Sequence, residues 1–194
     1  MKKFYSSWAG FRLLSSFLTV FLCLAGCSPA LNWRVVAQSD GGYSATYPDK
    51  PVSVTRQLML AGLSVPLTLQ AATVEGSYYA VGVVDLAAPA GPSGGASSAL
   101  SGKGPELQAA LIQALLNNVK STNVQSDSKA WAGVSEVVWV QAEGTLPDGT
   151  RASAQGRFFQ HQGKLYEVLL VGPANKVDAG TSTQFFSGFK LLGL

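Results

Sequence analysis

The sequence predicts an α+β domain: a mostly antiparallel sheet of about six to seven strands, with a central helix and a C-terminal helix packed on it. Two stretches, 33–86 and 134–172, are rich in β-branched and aromatic residues and are cut by short clusters of turn-forming residues, as expected of hairpin-connected strands. Between them a single run, Glu106 to Lys120, repeats its apolar residues at helical spacing, and a second such run closes the chain. Strands interrupted by single helices, and joined by hairpins rather than crossovers, belong to the α+β class.

From Trp33 to Leu86 the turns of an antiparallel meander are marked by Gly41-Gly42, Pro48-Asp49-Lys50-Pro51, Ala61-Gly62 and Glu75-Gly76-Ser77. In its last strand Tyr79, Val81 and Val83 fall on one side and Tyr78, Ala80, Val84 and Leu86 on the other. Apolar residues on both faces predict a central, doubly covered strand. Residues 87–104 then fall to small residues, prolines and glycines, with too little side-chain surface to pack, and a flexible loop is expected there. Its length is unusual for a compact domain, so an idle loop and a lid or partner-binding segment are both open readings.

Pro105 suits the first turn of a helix and Glu106 its positive end. Leu107, Leu111, Ile112, Leu115, Leu116 and Val119 form a broad apolar sector, while Glu106, Gln113, Asn117 and Lys120 share the opposite side. This is the pattern of a helix laid on a sheet; a membrane-surface helix would carry lysine or arginine along its polar face, and this one has a single lysine. After a polar passage, Val134–Glu143, Arg151–Gln160 and Leu165–Gly172 read as three more strands, turned by Pro147-Asp148-Gly149 and His161-Gln162-Gly163-Lys164. The last amphipathic stretch, Val177 to Phe189, carries Phe185, Phe186 and Phe189.

The N-terminal segment has the three parts of an export signal: positive Lys2, Lys3 and Arg12, an apolar core from Leu13 to Ala25, and small Ala25-Gly26. That core is shorter than the roughly 20 residues a bilayer-spanning helix needs. Leu24-Ala25-Gly26-Cys27 resembles the lipobox of bacterial lipoprotein precursors. The resemblance implies a diacylglycerol on the Cys27 thiol, cleavage between Gly26 and Cys27, and acylation of the new amino terminus. Residues 1–26 are then a removed signal peptide, 27–32 a lipidated tether and 33–194 a single domain. The alternative is an ordinary signal peptide whose cut happens to precede a cysteine. It would leave an exported thiol unpaired, because the other cysteine, Cys23, lies in the segment to be removed.

Processing at Cys27 has three consequences. The mature chain holds no free thiol, so its fold stands without disulfides or a cysteine-ligated metal. Taking 26 residues from 194 leaves 168, enough for one self-sufficient core. Taking the three leader cations from the 14 Lys and Arg leaves 11, against 11 Asp and Glu. These charges are scattered, with no basic run to track phosphates, which argues against a nucleic-acid partner. Membrane attachment is expected through the acyl chains alone, two or more of which anchor stably. The tether from Ser28 to Asn32 reaches roughly 17 Å, so the domain would sit close to the bilayer. In lipoproteins of two-membrane bacteria an aspartate after the cysteine commonly retains the protein on the inner membrane. Ser28 at that place implies the outer membrane, on its periplasmic face.

A second resemblance spans nearly the whole mature chain. Tyr43 to Pro51 (YSATYPDKP), the tyrosine-rich strand at Tyr78, the strand ending at Val171 and the closing FFSGFKLL at 185–192 resemble the pattern of PsbP-like domains. That likeness implies an antiparallel sheet sandwiched by helices and carries over no catalytic residue.

Motifs for chemistry are sparse. Gly91-Pro92-Ser93-Gly94-Gly95 matches the G-x-S-x-G elbow of serine hydrolases, but the elbow needs a strand ending at the serine and a helix starting after it. Ser93 lies instead in an Ala/Pro/Gly/Ser tract. His161, the one histidine, cannot build a multi-histidine metal site and is expected as a solvated turn residue. Gly102-Lys103-Gly104 lacks the rest of a phosphate loop. Glu136 and Glu143, seven residues apart on one strand, point to opposite faces and make a poor acid–base pair. Trp131, Trp139, Phe158, Phe159 and Tyr166 are expected in the core, although an outward Trp139 beside Gln141 would line a groove for a partner or glycan. The functional expectation is therefore a membrane-anchored envelope lipoprotein acting as a non-enzymatic interaction or accessory module with an envelope protein partner. It would need no cofactor besides the covalent lipid on Cys27. The second expectation is a binder of a small apolar or saccharide ligand in a cleft between the central helix and the sheet. A serine hydrolase centred on Ser93 is the third.

Overall fold

The computed structural model describes residues 31–87 and 100–193; Gly26, Cys27 and Ser93 lie outside the described residues. The main sheet is seven-stranded and antiparallel throughout, in the order β3-β4-β5-β9-β8-β7-β6. Its strands are β3 (Val52–Leu60), β4 (Leu63–Val74), β5 (Ser77–Asp85), β6 (Asn123–Trp131), β7 (Val134–Thr145), β8 (Arg151–His161) and β9 (Lys164–Pro173). A smaller sheet is formed by β1 (Arg34–Gln38), β2 (Tyr43–Tyr47) and β10 (Lys190–Leu191), with β2 in the middle. The helices are α1 (Gly104–Asn118) and α2 (Ala179–Ser187). The α+β class, the main antiparallel sheet and both helices are as the sequence predicts.

Four hairpins, β3–β4, β4–β5, β6–β7 and β8–β9, turn through the two-residue loops Ala61-Gly62, Glu75-Gly76, Ala132-Gly133 and Gln162-Gly163. Both residues of each loop have positive φ, from 46° to 83°. This is type I′ geometry, whose twist matches that of the flanking strands, and glycine takes the second place at no steric cost. After β5 the chain crosses one face of the sheet as α1 to the far edge, then returns as the meander β6 to β9, so that β9 closes against β5.

The central strands divide their side chains between two cores. On the α1 face, Val65, Leu67, Ala80, Val84, Phe158, Leu165 and Leu169 pack with Leu107, Leu111 and Leu115. On the other face, Tyr79, Val81, Phe159, Tyr166, Val168 and Leu170 meet Tyr43, Ala45 and Tyr47 of β2, Phe185 and Phe186 of α2, and Phe189. The alternation in 78–86 is thus realised as a doubly covered strand. Helix α1 docks closely because β7 has Gly144 where a Cβ would overlap the Val119 carbonyl; the neighbouring Thr145 N–H donates to that carbonyl at 2.6 Å. Leu111 is buried on this helix. Leu111→Ala is expected to cost 2–5 kcal/mol in chemical denaturation; an unchanged midpoint would place α1 outside the core.

Three expectations need correction. The polar passage after α1 contains β6, a full edge strand whose residues 123–130 are all exposed. An edge strand with neither face covered shows no apolar alternation, so its sequence reads as a loop. Residues 33–86 are not one meander: the chain leaves the small sheet at Pro48-Asp49-Lys50-Pro51 and enters the main one. Turn chemistry sets the local reversal but does not fix whether the next strand pairs with the last. At the end of the expected flexible loop, Leu100 is 1% exposed in the α1-side core, and Gly104 is already the first residue of the helix.

Candidate ligand-binding cleft

Strand β9 reads Lys164-Leu-Tyr-Glu-Val-Leu-Leu-Val171, a run in which one carboxylate sits among residues that are apolar on both faces. Alternation sends Leu165, Glu167, Leu169 and Val171 toward α1. Glu167 is opposite Gly82 of β5 in the register, and a Cβ at Gly82 would come within 2.6 Å of the Glu167 Cγ and Oε1. The missing side chain at Gly82 therefore makes room for the carboxylate stem under the helix.

Beside Glu167 lies a cleft of about 420 Å³ between α1 and the sheet. Leu111, Ala114, Leu115 and Asn118 line it from the helix, Leu58, Leu69 and Tyr78 from β3, β4 and β5, and Leu146 and Pro147 from the loop after β7. Its volume and mostly apolar lining, with few polar groups, are those of a small-molecule pocket. Glu167 is only 5% exposed and has no hydrogen-bond donor among the described residues. Burial pushes its carboxyl up to about 7, because the ionised form loses its hydration. The Tyr78 hydroxyl is pushed above its ordinary value, first by burial and then by the negative charge of Glu167.

The opposite face of the sheet holds a second unusual group. Arg157 of β8 is buried without a carboxylate partner among the described residues. Its Nη1 donates to the Gly156 carbonyl at 2.8 Å, its guanidinium lies 3.5 Å from the Trp139 ring centroid and 4.3 Å from that of Phe186, and burial lowers its pKa to about 10. From the strand on the other side of β7, the Lys129 ammonium lies 4.0 Å from the Trp139 centroid. Trp139 is therefore a half-buried ring engaged by two cations, not a free platform. Gln125, Gln141 and Gln155, paired across β6, β7 and β8, line a shallow polar groove next to it.

The sequence-selected residues do not converge. His161 ends β8 rather than standing in a solvated turn; it is half-buried, and its Nε2 is buried without a partner among the described residues. Glu136 and Glu143 are exposed on β7. Lys103 precedes α1 and pairs with Glu106 at 3.0 Å. Among the described residues, no three of His, Cys, Asp and Glu gather as a metal site would require. The residue that sequence reasoning passed over is Glu167, although a lone carboxylate in an apolar central strand is itself a signal.

No family model matches the chain, and no curated protein matches it. Among solved structures the chain is similar to cyanobacterial PsbP (CyanoP) from Synechocystis sp. PCC 6803, at 15% identity and a TM-score of 0.43, over 86% of this chain and 95% of that one.

Proposed function

We propose that this protein is an envelope lipoprotein, anchored through Cys27 to the periplasmic face of the outer membrane, whose domain works by binding rather than by catalysis. Leu24-Ala25-Gly26-Cys27 and Ser28 support the anchoring and the address. The cleft between α1 and the sheet supports the binding role, and the single observation that carries it is the Glu167 carboxylate, without a donor among the described residues, set in a mostly apolar pocket. A buried carboxylate without a partner is costly to keep, and a ligand supplying that partner recovers the cost. The alternative expectation of a ligand between helix and sheet becomes the leading one.

A protein partner is the second reading. Its support is β3, a nine-residue edge strand of the main sheet with Val52 71% exposed and Met59 72% exposed. An open edge of that length offers unpaired backbone groups for strand addition.

Two measurements on the full-length protein test these readings. Cys27→Ala should accumulate as uncleaved or soluble precursor, and normal membrane fractionation of that variant would refute lipid anchoring. In-cell crosslinking of the lipidated protein, with mass spectrometry of proteins and small molecules that copurify, separates the binding modes. A small molecule displaced by filling the cleft supports the first, and a protein crosslinked along β3 the second.

A further inference from the structure

We propose that the cleft takes a small apolar molecule bearing one protonated amine, with the Glu167 carboxylate as its counter-ion. This rests on the reading of the helix–sheet cleft as the binding site. The polar side chains of the lining are Tyr78, Asn118 and Glu167, and no lysine, arginine or histidine is among them. The one formal charge among the lining residues is therefore negative; Arg56, near enough to act on the Tyr78 hydroxyl, stands outside the lining. An anionic ligand would meet the like charge of Glu167 in a mostly apolar surround. A purely hydrocarbon ligand would cover the carboxylate and leave it unpaired, which raises its cost.

An ammonium resolves both difficulties. It carries up to three N–H donors, and residues able to accept line more than one wall: Glu167 on β9, Tyr78 on β5 and the exposed Asn118 on α1. The stem and the Oε1 atom of Glu167 lie in the space over Gly82, which seats the carboxylate at the sheet surface beneath α1. Leu58, Leu69, Leu111, Leu115 and Leu169 supply the apolar surface that selects the body of the molecule.

The test uses three probes with one body: 2-phenylethylamine, 2-phenylethanol and 3-phenylpropanoate. Each is titrated calorimetrically into the full-length lipidated protein in nanodiscs, with empty nanodiscs subtracted, at about pH 8, where Glu167 is ionised. The amine is expected to bind about tenfold or more tightly than the alcohol, through a charge-assisted hydrogen bond. The propanoate should not bind. Glu167→Gln should remove the advantage of the amine over the alcohol. Ala114→Trp, which fills the cleft from α1, should abolish both, with Val171→Phe as a second filled variant should the first lose its fold. Equal binding of amine and alcohol, lost on filling the cleft, would overturn the amine inference and keep the cleft as a binding site. No binding above empty nanodiscs, or binding that survives both filled variants, would overturn the two together.

Discussion

Glu167→Gln is expected to make the domain more stable above pH 7, by about 3 kcal/mol relative to the parent, and to flatten its stability between pH 5 and 8. The sign follows from the direction of the shift. The carboxyl titrates at 4.5 in an unperturbed chain and at about 7 in the folded one. Between these values the folded protein holds a proton that the unfolded chain has released. Stability from this group is fully present below 4.5 and is lost as pH rises through 7. Each pKa unit is worth about 1.4 kcal/mol, which sets the magnitude. Glutamine has the same shape, cannot ionise, and leaves the apolar walls in place.

Denaturant unfolding of parent and variant at the two pH values checks this, and the difference between them isolates Glu167 from every other titrating group. An identical pH slope in both proteins would mean that the carboxyl is solvated. The same measurement bears on binding: an ammonium at the carboxylate favours the ionised form, so amine-saturated parent should lose its destabilisation above pH 7.

Phe189→Ala is expected to cost 3–5 kcal/mol, the range for a fully buried aromatic cut back to a methyl group. Phe189 stacks nearly parallel on Trp131 at 5.0 Å and on Tyr43 at 5.7 Å. It meets Phe159 and Tyr166 edge-on at 5.9 and 6.4 Å. One ring thus joins the small sheet, the β6–β7 hairpin and the two strands β8 and β9, and its loss frees all of them at once. For a domain of this size the melting temperature should fall by about 10 °C, with a weakened near-ultraviolet circular dichroism signal from Trp131. Met59→Ala, at an exposed position, is the control and should stay within about 0.5 kcal/mol. A Phe189 variant that melts with the parent would remove this residue from the core.

The elements that were legible in the sequence are those whose own residues carry the signal. Helix α1 announces itself through Leu107, Leu111, Leu115 and Val119, all buried as their spacing requires. The hairpins at Ala61-Gly62, Glu75-Gly76 and Gln162-Gly163 are marked by the glycine at the second place, which takes positive φ without strain. Ala132-Gly133 carries the same signal, and reading it as a turn would have revealed β6. The strand was missed because hydrophobic alternation reports a covered face, and β6 has none.

The sequence by itself determined the class of the fold, most of the strands with a buried face, both helices and the apolar character of each. These follow from local propensity and periodicity, which act over a few residues. The tertiary structure alone decided that the chain changes sheets at Pro48–Pro51 and that β9 closes against β5. It also decided that Gly82 makes room for Glu167 beneath α1. Those are contacts between residues distant along the chain, such as the 85 positions from Gly82 to Glu167. No local pattern encodes them: a carboxylate becomes a buried group, with no donor among the described residues, only through what the rest of the fold lays over it.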